Sequence, residues 1–357
     1  MRWRGEMGGV VRGLVMACAL GAGGAPALAQ EGTPSGPVGV APEEEEPERP
    51  DVQAMADVGG VLTPAGTVVI EPSLQYSNSQ VNRFTFQGVE ILPTFLVGII
   101  EVEDVDRDVW TSAVDVRMGL TPRLEFGLKV PYVYRSERRS VSIPQVDNST
   151  TSQRLDGDGV GDVEASLHYQ LNRGSAGGPF YIGNLRYKSI TGRGPFEVDH
   201  NDSAVETEAA TGSGFHALEL SITGLVVSDP AVLYGNIGYL RNFPRDVDRT
   251  IGAGDQALDI GRVEPGDALR MSLGTSVSLN PRTSFSIGYK HDVIRPTRTE
   301  INNTTFESDS LGVGSLLLGV SHVVSPRVTA SVNLEVGVTA DAPDMAITFR
   351  MPWTVLQ

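Results

Sequence analysis

Beyond Thr63 the sequence alternates with a period of two, and this constrains the fold more than any other feature. In Leu124 to Tyr134, the residues Leu124, Phe126, Leu128, Val130, Tyr132 and Tyr134 share one side, while Glu125, Gly127 and Lys129 share the other. From Val328 to Val338, Val328, Ala330, Val332, Leu334, Val336 and Val338 alternate with Thr329, Ser331, Asn333, Glu335 and Gly337. Met345, Ile347, Phe349, Met351, Trp353 and Val355 alternate likewise with Ala346, Thr348 and Arg350. Successive side chains of a strand point to opposite faces, so each segment predicts a strand with one apolar face and one polar or small face.

Short Pro-containing turns separate these runs on one side: Thr121-Pro122-Arg123, Ser228-Asp229-Pro230, Asn280-Pro281-Arg282 and Ser325-Pro326-Arg327. On the other side lie the long stretches Ser79 to Arg107, Arg139 to Gly159, Gly192 to Gly212, Pro244 to Gly266 and Arg295 to Ser310. The strands so bounded are Gly66 to Asn78, Asp108 to Leu120, Leu124 to Arg138, Val160 to Leu171, Phe180 to Thr191, Phe215 to Val227, Ala231 to Phe243, Asp267 to Leu279, Thr283 to Ile294, Leu311 to Val324, Val328 to Val338 and Asp344 to Val355. Each run has the roughly 9 to 11 residues that a tilted membrane-crossing strand needs. Short turns at one end, long loops at the other and an even strand count predict an all-β fold, a transmembrane antiparallel up-and-down barrel of about twelve strands. Phe84 to Val102 would raise the count to fourteen, though an extra hairpin within the first long loop is preferred. Tyr76, Trp110, Tyr132, Tyr134, Phe180, Tyr239, Tyr289 and Trp353 stand near strand ends, where interfacial aromatic girdles are expected. The competing architecture is a soluble sandwich or barrel with its apolar face inside.

Composition removes several classes. The 357 residues carry 28 Lys plus Arg against 44 Asp plus Glu, a formal charge of -16. With only Lys129, Lys188 and Lys290 as lysines, a surface that neutralises phosphates is not expected, so nucleic acid is not a predicted partner. Past the N-terminal segment no apolar run approaches the roughly 20 residues of a membrane helix.

Arg2, Arg4 and Arg12 precede an apolar run from Gly13 to Ala25, and Ala27-Leu28-Ala29 supplies a small-x-small cleavage site, so residues 1–29 read as a signal peptide. A lipoprotein signal ending at Cys18 is the weaker alternative, because Val15-Met16-Ala17 fits a lipobox poorly. Cleavage removes three Arg, one Glu and the only Cys, leaving a formal charge of -18 and no thiol for a disulfide or Cys-based site. Residues 30–62 are rich in Pro, Gly and Glu, with an acidic block at Glu43 to Glu48, and read as a disordered periplasmic tail. Residues 63–357 form the expected barrel.

Gly157-Asp158-Gly159-Val160-Gly161-Asp162, followed by a strand ending at Tyr169, resembles a motif of Gram-negative outer-membrane barrels associated with the MetA pathway of phenol degradation. The motif residues are Gly159, Gly161, Asp162 and Tyr169. Supporting pieces are Leu120 to Leu128 leading to Pro131-Tyr132, Lys188 to Gly192, Pro265-Gly266-Asp267, and the last hairpin with Gly337-Val338-Thr339 and Ala342-Pro343-Asp344. The resemblance covers nearly all of residues 60–355. It implies an outer-membrane transporter of small, aromatic or hydrophobic molecules, placed among outer-membrane lipid by the barrel-assembly machinery. Such barrels commonly end in an aromatic residue, whereas here Trp353 stands four residues before Gln357.

The inward face is predicted to carry Glu71, Asp115, Arg117, Glu125, Lys129, Glu164, His168, Arg186, Lys188, Glu219, Arg270, Lys290, Glu335 and Arg350. Acids and bases in comparable numbers suit cross-strand ion pairs; the alternative is an anion-attracting stripe of Arg117, Lys129, Arg186, Lys188, Arg270 and Arg350 among Asp115, Glu125 and Glu164. Asp156, Asp158 and Asp162 lie in a Gly-rich segment that resembles a calcium loop, but Val160 stands at a ligand position and no Glu follows at the twelfth, so a tight glycine entry into a strand is favoured. An outer-membrane hydrolase would require a Ser or carboxylate paired with one of His168, His200, His216, His291 and His322 at the outer rim, and His322 lies at the short-turn end. The expected function is a diffusion channel for small-molecule solutes with no cofactor, no metal and no catalytic residue. A structural or adhesion barrel is the alternative, a hydrolase the second.

Overall fold

The computed structural model of the protein describes residues 62–80, 84–86, 89–91, 101–142, 150–174, 178–202, 206–254 and 257–356. The expected signal peptide, nearly all of the expected tail, and Phe95 to Ile100 lie outside the described residues. In chain order the strands are β1 (Val68–Ser79), β2 (Phe84–Phe86), β3 (Val89–Ile91), β4 (Glu101–Thr121), β5 (Leu124–Ser142), β6 (Thr150–Val160), β7 (Glu164–Gln170), β8 (Phe180–Lys188), β9 (Ala217–Ser228), β10 (Ala231–Asn242), β11 (Arg245–Ile251), β12 (Leu258–Glu264), β13 (Ala268–Asn280), β14 (Thr283–Ile294), β15 (Arg298–Ile301), β16 (Thr304–Glu307), β17 (Leu311–Ser325), β18 (Val328–Gly337), β19 (Met345–Arg350) and β20 (Trp353–Leu356).

Neighbouring strands pair antiparallel, and β1 pairs with β4 on one side and with β19 and β20 on the other, so the sheet closes on itself. Counting β6 with β7 and β19 with β20 as single staves, the barrel has the twelve expected staves. β2 and β3 form a separate two-stranded sheet within the first long loop.

Burial separates a membrane barrel from a soluble one. Leu220 is 65% exposed, Leu273 63%, Leu279 64% and Trp353 53%, while Glu71, Glu125, Glu164 and Lys188 are buried. A water-soluble sheet does the reverse, since exposed apolar surface on this scale needs a lipid solvent or a partner. Of the expected girdle aromatics, Phe180 is the exception: it turns inward and packs against a cluster at the short-turn end.

Two expected strands differ in extent. The strand expected over Val160 to Leu171 runs only from Glu164 to Gln170, as β7, while β6 occupies part of the stretch Arg139 to Gly159 expected as a loop and pairs there with β5, which runs on to Ser142. On β5, Tyr132 faces Val160 and Lys129 faces Glu164, so two residues of β5 oppose three residues, Gly161, Asp162 and Val163. This bulge inverts the alternation: Asp156 and Val160 face outward before it, Leu167 and Tyr169 after it. The last strand is interrupted at Met351 and Pro352, where proline has no N–H to donate.

Two further stretches expected as loops are not irregular. β11, β12, β15 and β16 form a four-stranded sheet at the long-loop end. One of its faces holds a core of Phe215, Ile251, Leu258, Ile260, Val263 and Ile301, with Phe196 and Val247 packed against it. Asn302 and Asn303, at φ 49° and 62°, make the tight turn of the β15–β16 hairpin, where a left-handed pair matches strand twist. Glu197 anchors residues 194–197 to this cap: it accepts from the Gly194 N–H at 3.0 Å and pairs with Arg245 at 2.7 Å. Burial alone would push its carboxyl up; these partners overcome burial and hold it below the usual range.

Candidate functional site in the barrel lumen

Inward residues of β1, β4, β5, β7, β8 and β9, joined by others of β13, β14, β18 and β19, form a charged belt. One register row runs Glu71, Asp115, Lys129, Glu164, Lys188 across five strands. Arg117 Nη2 lies 2.8 Å from Glu71 Oε2, and Arg350 Nη1 lies 3.9 Å from the other oxygen. Arg186 bridges Glu164, at 3.0 Å, and Glu219; Arg270 also reaches Glu219 at 3.0 Å and Asp292 at 3.3 Å. Lys290 pairs with Glu335 at 2.7 Å. His168 completes the wall through Asn184 at 2.8 Å and Ser166 at 3.1 Å.

The six bases of the candidate stripe therefore differ in state. Arg117, Arg186, Arg270 and Arg350 are tied to carboxylates, and Lys188 lies 4.0 Å from Asp162. Lys129 alone of the six makes no ion pair among the described residues. Glu125 is buried and accepts from the Thr63 N–H at 2.6 Å. Such a network fixes side chains whose free rotation would otherwise narrow the bore unpredictably.

On the opposite wall, beside the Arg270–Asp292 and Lys290–Glu335 pairs, β13, β14, β17 and β18 carry the small or polar residues Ser272, Ser276, Ser286, Gly319 and Asn333 inward. Tyr234 lies across it. A Cβ at Gly274 would stand 2.4 Å from the Tyr234 hydroxyl and one at Gly288 2.5 Å from it, so glycine is required at both.

Both ends of the lumen are apolar. At the short-turn end Leu62, Ile182 and Leu225 are buried together with Phe180, Val232 and Tyr234 beside them. Leu62 arrives there because residues 62–67 turn into the barrel: Ala65 bridges Gly119, and the Gly66 N–H donates to the Gly119 carbonyl at 2.8 Å. A Cβ at Gly119 would meet the Pro64 carbonyl oxygen at 2.1 Å. At the long-loop end Ala217, Leu240, Ala268, Ile294, Leu311, Val313 and Ala342 form an apolar collar.

Between collar and belt the wall is interrupted. β6 pairs only with β5, and β8 pairs with β7 and β9, so beyond the bulge no strand joins β6 to its far neighbour. Residues 189–202 and 206–216 fill the gap. The Thr191 hydroxyl donates to the Gly161 carbonyl at 2.8 Å, Ser189 N–H to Val163 at 2.9 Å, and Arg135 to the Ala210 carbonyl at 3.5 Å. Asp162, fully buried, holds this segment: Oδ1 accepts from the Gly192 N–H at 3.1 Å, and Oδ2 from the Ser213 N–H at 2.8 Å and hydroxyl at 2.6 Å. Lys188 donates to the same hydroxyl at 2.7 Å. Gly192 and Gly212 let the two segments touch, since a Cβ at Gly212 would stand 2.6 Å from Asp162 Oδ1.

The motif residues thus have separate roles. Gly159 and Gly161 bring the chain into the bulge against Thr211 and Val133. Asp162 fastens residues 189–216, and Tyr169 faces outward beneath the Arg123 guanidinium, 5.3 Å from its ring centre. The three carboxylates do not converge on a cation: Asp156 meets Arg154, Asp158 accepts from Tyr132, and Asp162 is enclosed by donors. Accordingly, excess chelator should leave the unfolding temperature unchanged; a fall restored by calcium would show a metal at this loop.

The Ser213–Lys188 contact lacks the properties of a nucleophile and base. Ser213 is fully buried and its hydroxyl is committed to Asp162. His322, bonded to Thr283 at 2.9 Å, stands beside the short turn at Pro326.

The sequence matches no family model. Among solved structures, the COG4313 outer membrane channel from Pseudomonas putida F1 resembles this chain with a TM-score of 0.55 and 15% identity, over 82% of this chain and 97% of that one. The translocator domain of the autotransporter NalP from Neisseria meningitidis gives 0.46 at 10% identity, over 85% and 92%. The Ralstonia pickettii toluene transporter TbuX gives 0.42 at 10% identity, over 84% and 91%. The first of these shows that the fold is that of an outer-membrane β-barrel.

Proposed function

We propose that this protein is an outer-membrane channel for the passive passage of small, predominantly apolar molecules. Residues 1–29 would export it, residues 30–62 would trail in the periplasm, the long-loop end would face outward, and the barrel-assembly machinery would insert it among outer-membrane lipid. The observation that carries this reading is the interruption of the wall at Gly161 to Val163, set between an apolar collar and a charged belt. An apolar solute entering the collar gains roughly 25 cal/mol for each Å² removed from water. Going further along the axis would strip water from ion pairs, which is costly. The gap, closed in this structure by residues 189–202 and 206–216, would be the lateral route into the lipid that surrounds the wall. The resemblance to the COG4313 channel and to barrels of the phenol-degradation pathway supports the same reading. Selection rests on bore, collar and wall charge, and no cofactor or covalent step is required.

The experiment is uptake of toluene, phenol, benzoate and sugars by a deletion strain with and without the restored protein, alongside liposome swelling. Restoration should raise entry of the apolar compounds and leave sugar entry nearly unchanged. Unchanged uptake of every solute, with no current in planar bilayers, would favour the structural barrel; hydrolysis of phospholipid by the purified protein would favour the hydrolase.

A further inference from the structure

Asp115 and Lys129 stand directly opposite each other on β4 and β5, both inward, where cross-strand Cβ atoms are about 5 Å apart. Opposite charges so placed ordinarily pair, yet no ion pair joins these two, and neither makes one with any other of the described residues. Their other neighbours are committed: Glu164, across from Lys129 on β7, is held by Arg186 at 3.0 Å, and Glu71, across from Asp115 on β1, by Arg117 at 2.8 Å. Asp115 Oδ1 is buried without a hydrogen-bond partner. The belt therefore contains, side by side, a base with no ion pair among the described residues and a carboxylate oxygen with no hydrogen-bond partner, whereas the other lysines and arginines of the belt are tied to carboxylates; the oxygen is buried, so a ligand meets it once the carboxylate turns about its Cβ–Cγ bond.

We propose that Lys129 and Asp115 form a lumenal head-group site for a neutral amphiphile whose polar end accepts one hydrogen bond and donates another, as an alcohol hydroxyl or primary amide does. The Lys129 ammonium donates to the group's oxygen, and the group's own proton goes to Asp115 Oδ1. Net charge excludes the alternatives. A carboxylate would be drawn to Lys129 but repelled by Asp115, and an amine would meet the converse; a hydrocarbon would leave both groups unmatched. The body of the ligand has a place as well. Pro131 and Val133 follow Lys129 on the same inward face of β5, Val133 is buried, and a Cβ at Gly161 would touch both at 3.1 Å. A head at Lys129 thus directs an apolar tail at the wall interruption. This deepens the channel reading and rests on it for its physiological meaning, while the site itself is open to direct measurement.

The test is binding of a matched set, benzyl alcohol, toluene, benzoate and benzylamine, to the full-length protein in lipid nanodiscs, followed by ligand-observed saturation-transfer NMR against empty nanodiscs. Benzyl alcohol should bind about tenfold more tightly than the other three, a difference of about 1.4 kcal/mol. Lys129→Met and Asp115→Asn should each abolish that preference, and Lys129→Arg should retain most of it. Tightest binding by benzoate would overturn the proposal in favour of a plain anion site. Equal binding of all four, with the substitutions changing only the unfolding temperature, would overturn it in favour of an ordinary structural pair. Because binding is read without transport, an intact alcohol preference in a protein that carries nothing across the membrane would sink the channel reading and leave the site standing.

Discussion

Replacing Asp162 by alanine is expected to destabilise the barrel by about 3 to 5 kcal/mol, the range for removing one partner of a buried charged network. The carboxylate satisfies the Gly192 and Ser213 N–H groups and the Ser213 hydroxyl, and it is the carboxylate nearest the Lys188 ammonium, at 4.0 Å. Alanine leaves these donors in a place from which water is excluded. It also frees residues 189–202 and 206–216, which are fastened across the wall gap by this side chain more than by any regular pairing. Asp162→Asn should cost less, because one acceptor oxygen survives. The readouts are the urea midpoint and the temperature at which the folded form loses its faster migration in detergent gels. Asp162→Ala combined with Lys188→Met should recover part of the loss, since the orphaned ammonium is then gone. A midpoint unchanged by Asp162→Ala would show that residues 189–216 are held by something else. The same variant should raise entry of apolar solutes if the gap is their route.

The barrel was legible because its strands obey one rule over long runs. Leu124 to Tyr134 and Val328 to Val338 alternate without interruption, and lipid outside with a polar lumen inside leaves no other reading of that period. The rule failed where a single residue changed it. The bulge at Gly161 to Val163 inverts the parity of β6 relative to β7, and only the pairing of Tyr132 and Lys129 with β6 and β7 reveals it. The cap sheet was missed for another reason. Arg245–Ile251 and Leu258–Glu264 are seven residues each, and Arg298–Ile301 and Thr304–Glu307 four each, too short for periodicity to rise above loop composition. Inward parity assigned the charged residues of the belt to one common face of their strands. It could not show that Arg186 would take two glutamates while Lys129 took none, because partner choice depends on stagger between strands and on rotamers. Asp162 was visible as part of a motif, but its burial follows from residues 189–216, thirty to fifty positions away.

Removing residues 30–66 while keeping the export signal is expected to raise single-channel conductance several-fold and to turn the pore toward cations. Leu62 is buried inside the short-turn end against Ile182 and Leu225, and the chain from there to Thr67 runs along the lumenal side of Gly119. It occupies cross-section that an ion would use. Its loss also strips Glu125 of the Thr63 N–H, leaving a carboxylate that is now 3% exposed facing an opened bore. In a narrow low-dielectric pore one uncompensated charge dominates the local potential, so the reversal potential in a KCl gradient should shift to the cation side. Adding Glu125→Gln to the truncated protein should cancel that shift and leave the larger conductance, which separates the charge effect from the steric one. Leu62→Ala in the intact chain is a milder version: it opens a cavity worth about 2 to 5 kcal/mol in a packed cluster and should loosen the segment without deleting it. If truncation leaves conductance unchanged, the narrowest point must lie at the other end, among Leu240, Ile294 and Leu311 of the collar, and shortening the β11–β12 hairpin above it becomes the change that opens the pore.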